Sequence, residues 1–298
     1  MKNYIVKSIK FIFVLSVFYY LYKNDHIDLG TFIALKNNTL LNLLLLILIL
    51  LTLLSGALRW FLILRYSKIN IKFIQVFKII YICGFFNNFM FGNIGGDVLR
   101  IYYATNLSKK NKVKNGFTIL LDRFFGLIGL LCLGLISLLI MLIISKEYIF
   151  LLYLVLGIFV AMFVFTASFF FLKKYKKILN LMIFLNLNKK LFILGVLISI
   201  FLFFTVHISI FFISNFIFDF RISLNYIFLA NFFSSLVGAI PITPGGIGVS
   251  EAAFVFINNN FFEIYLDNLA NILIYYRILN LVFSLPSLYF FLDIRIIN

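Results

Sequence analysis

Long apolar stretches, broken by short polar and lysine-rich segments, dominate this chain. Runs of Leu, Ile, Phe and Val occupy residues 9–22, 39–64, 73–91, 116–145, 149–172, 191–218, 224–240 and 267–292. None shows the period-two alternation of a barrel strand, and backbone polar groups in lipid must be satisfied internally, so each run is predicted to be helical. A membrane crossing takes about 20 apolar residues. The chain therefore has room for six to eight membrane segments and for no separate soluble domain, and residues 1–298 are read as a single integral membrane domain.

Two breaks in the apolar pattern differ from ordinary loops. Residues 92–97 read Gly-Asn-Ile-Gly-Gly-Asp, and residues 241–251 read Pro-Ile-Thr-Pro-Gly-Gly-Ile-Gly-Val-Ser-Glu. Such glycine and proline punctuation stops a helix. Non-helical backbone at membrane depth survives only where protein or a water-filled cavity covers it. The expected fold is an all-α polytopic membrane protein with about six spanning helices and two re-entrant helical hairpins, begun by the 73–91 and 224–240 runs.

With that topology and a cytoplasmic N-terminus, the inner loops hold Lys2, Lys7, Lys10, Arg65, Lys68, Lys72, Lys109, Lys110, Lys112, Lys114, Lys173, Lys174, Lys176, Lys177, Lys189, Lys190 and Arg295. The outer loops hold only Lys23, Lys36, Lys146 and Arg221. This asymmetry is what the positive-inside rule requires, and it places both termini in the cytoplasm of a cytoplasmic-membrane protein. The first run follows Lys2, Lys7 and Lys10 as in a signal sequence, yet no small-x-small cleavage site comes after Tyr22, so it is read as a retained helix.

Composition agrees: 64% of residues are hydrophobic and 12% charged, with a mean hydropathy of +1.12, which excludes a soluble domain. The net charge of +16 does not point to nucleic acid, because the lysines cluster between apolar runs with no basic, aromatic-studded surface around them. Cys83 and Cys132 lie in apolar runs without metal-ligand spacing and are read as packing residues. No nucleotide loop, zinc motif or nucleophile elbow is present in the sequence, and no cofactor, metal or catalytic group is expected.

The chemistry that remains is charge inside the membrane. Asp97 follows Gly95-Gly96 and precedes Arg123 by 26 residues; Glu251 follows Gly245-Gly246-Ile247-Gly248 and precedes Arg277 by the same 26. In the topology above the two hairpins open to opposite sides, so the halves would form an inverted repeat, the pattern that marks a midplane site in secondary transporters. A charge at the centre of a membrane helix costs about 2.5–3.5 kcal/mol on insertion scales, so Asp97, Asp122, Arg123, Glu251 and Arg277 each need a partner. Arg100 stands at i+3 from Asp97, on the same helix face. Guanidinium suits bidentate contact with carboxylate or phosphate. Asp97, Arg100, Arg123, Glu251 and Arg277 are the candidate substrate-binding residues, with Asn88, Gly95, Gly96, Asp122, Pro241, Pro244, Gly245, Gly246 and Gly248 in support. The competing reading makes these pairs simple cement between helices. Asn87 and Asn88 are candidates to hydrogen-bond the free backbone of the first turn. Tyr102, Tyr103, Tyr275 and Tyr276 are read as interfacial anchors, and His207 as a helix–helix hydrogen bond.

Gly95-Gly96-Asp97-Val98-Leu99-Arg100 with Tyr102-Tyr103, Leu121-Asp122-Arg123-Phe124-Phe125-Gly126-Leu127, the block from Pro241 to Ala252, and Tyr276-Arg277 resemble, in order, the signature blocks of the lysylphosphatidylglycerol synthase transmembrane region, or flippase-like domain family. The resemblance implies a membrane domain that moves lipids between leaflets, with re-entrant segments near its centre. The two-domain synthases add a soluble C-terminal domain that transfers lysine; the chain stops at Asn298 after its last apolar run, so lysyl transfer is not expected. Membrane lipids are the implied partners, together with a lipid-modifying synthase or glycosyltransferase of the kind some relatives accompany. Two other readings stay open: a non-transporting scaffold for such an enzyme, and a membrane-embedded enzyme with Asp97 or Glu251 as a general base.

Overall fold

The computed structural model describes residues 39–88, 94–108, 112–144, 189–240, 243, 245–266 and 269–292. The predicted 9–22 and 149–172 runs lie outside them, as do Pro241 and Pro244. The described elements are helical: α1 Thr39–Tyr66, α2 Phe73–Asn87, α3 Ile94–Ser108, α4 Lys112–Ile144, α5 Lys189–Phe212 continued by a π turn Ile213–Ile217, α6 Leu224–Gly238, α7 Val249–Phe261, α8 Leu269–Ser284 and α9 Ser287–Leu292. Three of them, Thr39–Tyr66, Lys112–Ile143 and Lys189–Ile217, are long and apolar enough to cross a membrane. The chain is a multi-pass membrane protein. The predicted 267–292 run is not one helix: Pro286 has no N–H to donate, and the backbone turns at Leu285 and Pro286 between α8 and α9.

The long helices are turned inside out relative to a soluble bundle. On α1 the exposed large apolar side chains are Leu40, Leu43, Leu44, Ile47, Leu50 and Leu58, whereas Ser55, Arg59 and Trp60 are buried against the neighbouring helices. Polar residues face inward because lipid offers them nothing. Thr52 Oγ1 lies 2.8 Å from Thr205 Oγ1 on α5. Association without a hydrophobic driving force depends on close backbone approach, which small residues permit. On α4, a Cβ at Gly129 would run into Ser199 of α5, and on α5 a Cβ at Gly195 would lie 2.5 Å from the Phe125 ring.

The short helices come in two pairs, α2 on α3 and α6 on α7, each placed between longer ones in the chain. At about 1.5 Å per residue, a 15-residue helix such as α2 or α6 reaches about 22 Å, short of the roughly 30 Å of hydrocarbon. Their free backbone groups are met locally. Asn88 Nδ2 donates to the carbonyls of Gly84 and Phe85 at the end of α2, at 3.1 and 3.3 Å. Asn87 Oδ1 accepts from Gly96 N–H at 3.0 Å in the first turn of α3. Asn87 thus does what the sequence suggested, whereas Asn88 bonds carbonyls of its own helix and not the glycine turn.

Candidate functional site

Among the described residues, five ion pairs run from the interior out to an exposed end at Arg123, built from α1, α3 and α4 on one side and α7 and α8 on the other. Asp122 of α4 lies between two arginines. Its Oδ1 accepts from Arg59 Nε at 2.6 Å and its Oδ2 from Arg100 Nη2 at 2.8 Å. Asp97, in the first turn of α3, lies 3.5 Å from Arg100 through Oδ1 and is paired with Arg123 Nε through Oδ2. Arg100 lies over the Trp60 ring, 4.3 Å from its centroid, and Trp60 Nε1 donates to Thr118 Oγ1 at 3.2 Å. A buried guanidinium is thereby held by two carboxylates and an aromatic face.

The second group follows from the glycine turn. Gly245, Gly246 and Gly248 have φ of +58°, +71° and +84°, the left-handed region that side chains disfavour. The turn is also crowded: a Cβ on Gly245 would lie 2.8 Å from the Asn88 carbonyl, and one on Gly246 would lie 2.8 Å from the Gly238 carbonyl. The turn opens α7, where Glu251 Oε2 reaches back to accept from Gly248 N–H at 2.7 Å and from Ser250 Oγ at 3.0 Å. Its Oε1 lies 2.6 Å from Arg277 Nε on α8. Arg277 also donates to the Gly245 carbonyl at 2.7 Å and to Ser250 Oγ at 2.5 Å.

Between the two groups is a cavity of about 500 Å³. Arg59 lines it from the first group and Arg277 from the second, with Asn87 and Asn88 at the end of α2 and Tyr276 and Asn280 on α8. The close approach of Gly245 to the Asn88 carbonyl brings the ends of the two short-helix pairs together beside this space. Candidate residues from distant parts of the sequence therefore meet, with the acid 26 residues before its base in both groups.

Some expectations need correction. Tyr103 and Tyr275 are buried rather than interfacial, and Tyr275 donates to Asn42 Oδ1 at 2.7 Å, because each ring packs among neighbouring helices. Tyr276 lines the cavity, and Tyr102 is exposed. His207 Nδ1 lies 2.7 Å from Phe203 O in its own helix, and the ring meets α6 through an edge contact with Phe228. Sequence reasoning missed Arg59. It lies inside the 39–64 apolar run, seven residues before Tyr66, so it reads as one more basic residue approaching a cytoplasmic loop. The rule that any ionisable residue inside a membrane run demands a partner would have found it.

Ion pairs among apolar helices, two of whose arginines line one cavity, define a class: multi-pass membrane proteins with a charged interior site. Within that class the chain belongs to the lysylphosphatidylglycerol synthase TM region family, whose model matches residues 8–286. The match is to the transmembrane region alone, and the family is associated with lipid modification or translocation. A comparison with curated proteins found no match.

Proposed function

We propose that this protein takes a membrane lipid by its headgroup and passes it between leaflets. The observation that carries the reading is the cavity lined by Arg59 and Arg277, one arginine from each charged group, at the junction of the two short-helix pairs. Guanidinium groups favour a phosphate, whose oxygens match the planar fork. Acyl chains would stay in lipid while the headgroup crosses the interior.

In this reading α2–α3 and α6–α7 are re-entrant hairpins that open to opposite faces, the two halves are an inverted repeat, and both termini lie in the cytoplasm. Three features support it: the short helices, the matched Asp97–Arg123 and Glu251–Arg277 pairs, and the basic bias of the inner loops. Alternating access follows if the contact between Asn88 and Gly245 breaks and reforms. Arg59 and Arg277 hold the lipid phosphate, and Asp122 and Glu251 hold these arginines between passages.

Reconstitution into liposomes containing labelled lipids tests the proposal. Labelled lipid is expected to cross faster with protein than in empty vesicles, and Arg277→Lys, which keeps the charge and loses the fork, is expected to slow it. A rate equal to that of empty vesicles for every headgroup tried would defeat translocation.

A further inference from the structure

We infer that α9 is a strap: it holds α2 from the side away from the cavity and sets how far the tip of α2 can part from the Gly245 turn. The inference goes beyond the lipid reading and does not depend on it. The match to the family model ends at residue 286, and α9, Ser287–Leu292, lies outside it. Pro286 has no N–H to continue α8, and the turn at Leu285 and Pro286 lays α9 on α2. The buried Phe291 ring lies 4.6 Å, centroid to centroid, from Phe86 of α2. Lys78 Nζ stands 5.4 Å from the centre of the Phe290 ring. Leu288 packs against the buried cluster that contains Ile79, Ile82 and Cys83 of α2, and Ser287 is wholly buried. Just before the turn the Phe283 carbonyl accepts from Tyr81 Oη, which fastens the end of α8 to α2 as well. Tyr289, by contrast, is exposed.

The helix α2 is therefore caught between two neighbours. Tyr81, Gly84 and Asn88, spaced i, i+3 and i+7, turn one face to the cavity. Lys78, Ile82 and Phe86, spaced i, i+4 and i+8, turn another face to α9 and the cluster it closes. At 3.6 residues per turn the two stripes are centred roughly a third of a turn apart. A swing of α2 away from the cavity runs into α9. The contact that would part at the tip is the close approach of the Asn88 carbonyl to Gly245. Aromatic contacts suit a strap, because each is weak enough to release and specific enough in geometry to form again.

Hydrogen–deuterium exchange of the purified full chain tests the strap. In Phe291→Ala the amides of residues 82–88 in α2 are expected to exchange about tenfold faster, the order of a lost buried aromatic contact, while those of α1, α4 and α5 keep their rates. Tyr81→Phe keeps the ring and removes the tie to the Phe283 carbonyl, and a rise of about threefold is expected over the same residues. Tyr289→Ala, on the exposed side of α9, is expected to match the unaltered protein. Unchanged exchange at residues 82–88 in either Phe291→Ala or Tyr81→Phe would overturn the inference. So would a rise spread evenly over α1, α4 and α5, which would make α9 general packing, and so would an equal rise in Tyr289→Ala. If Phe291→Ala does not fold, Tyr81→Phe decides alone, because it deletes a single oxygen and leaves the packing in place.

Discussion

Asp122 is held between two arginines, while Glu251 shares one arginine with a glycine turn. Around Asp122 three helices contribute charge, its side chain is 4% exposed, and its stability depends on every partner being present. Around Glu251 the neighbours of the arginine are a hydroxyl and a backbone carbonyl, groups that keep their hydrogen-bonding capacity without a counter-charge. The two acids therefore sit in two kinds of construction, and Asp122 stands outside the 26-residue spacing that Asp97–Arg123 and Glu251–Arg277 share. One is a charged keystone among long helices, and the other is a single pair tied to a turn that borders the cavity.

The comparison breaks first at Asp122. Asp122→Asn leaves Arg59 and Arg100 buried without their shared acid, and the expected loss is about 3–5 kcal/mol, seen as a fall in Tm and loss of monodisperse protein in detergent. In the second group the effect should be smaller. A double-mutant cycle of Glu251→Gln and Arg277→Gln is expected to give a coupling energy of about 1–3 kcal/mol by denaturation, and a coupling near zero would separate this pair from the architecture.

The turn itself can be divided by two glycines. Gly245→Ala must tolerate both a left-handed φ and the Asn88 carbonyl, whereas a Cβ on Gly248 meets nothing within 4 Å. Gly248→Ala is expected to cost about 1–2 kcal/mol from its backbone conformation alone, and Gly245→Ala more than that. The smallest effect on stability is expected at the first group's outer end. Asp97 and Arg123 have side chains 19% and 39% exposed, so Asp97→Asn should cost no more than about 1 kcal/mol in thermal unfolding. A larger loss there would make the whole charged chain, from Arg59 to Arg123, a single unit.

The legible part of this protein was the part written in local pattern. The glycines from Gly245 to Gly248 predicted the turn before a helix, and the two 26-residue spacings marked residues that do pair, whereas Gly95 and Gly96, also read as a break, are helical residues in the first turn of α3. Asn87 was legible because a short amide beside a helix break has obvious backbone work to do. Arg59 was hidden because its partner is 63 residues away, and nothing local separates a keystone from a residue reaching for the interface. Tyr103 and Tyr275 were misread for the same reason: an aromatic belt and an aromatic core have one composition, and packing alone tells them apart. The closing helix was read as continuous because one proline in a long apolar run weighs little in a hydropathy window, although it divides α8 from α9.

The central claim is that the ends of α2 and of the α6–α7 turn meet around a hydrated cavity inside the membrane. Single cysteines at Asn88 and at lipid-facing Ile47, in a background where Cys83 and Cys132 are replaced by alanine, test it in sealed vesicles with a hydrophilic thiol reagent. Rapid labelling of Asn88→Cys beside an inert Ile47→Cys is the expected result. Labelling of Asn88→Cys as slow as that of Ile47→Cys would contradict it.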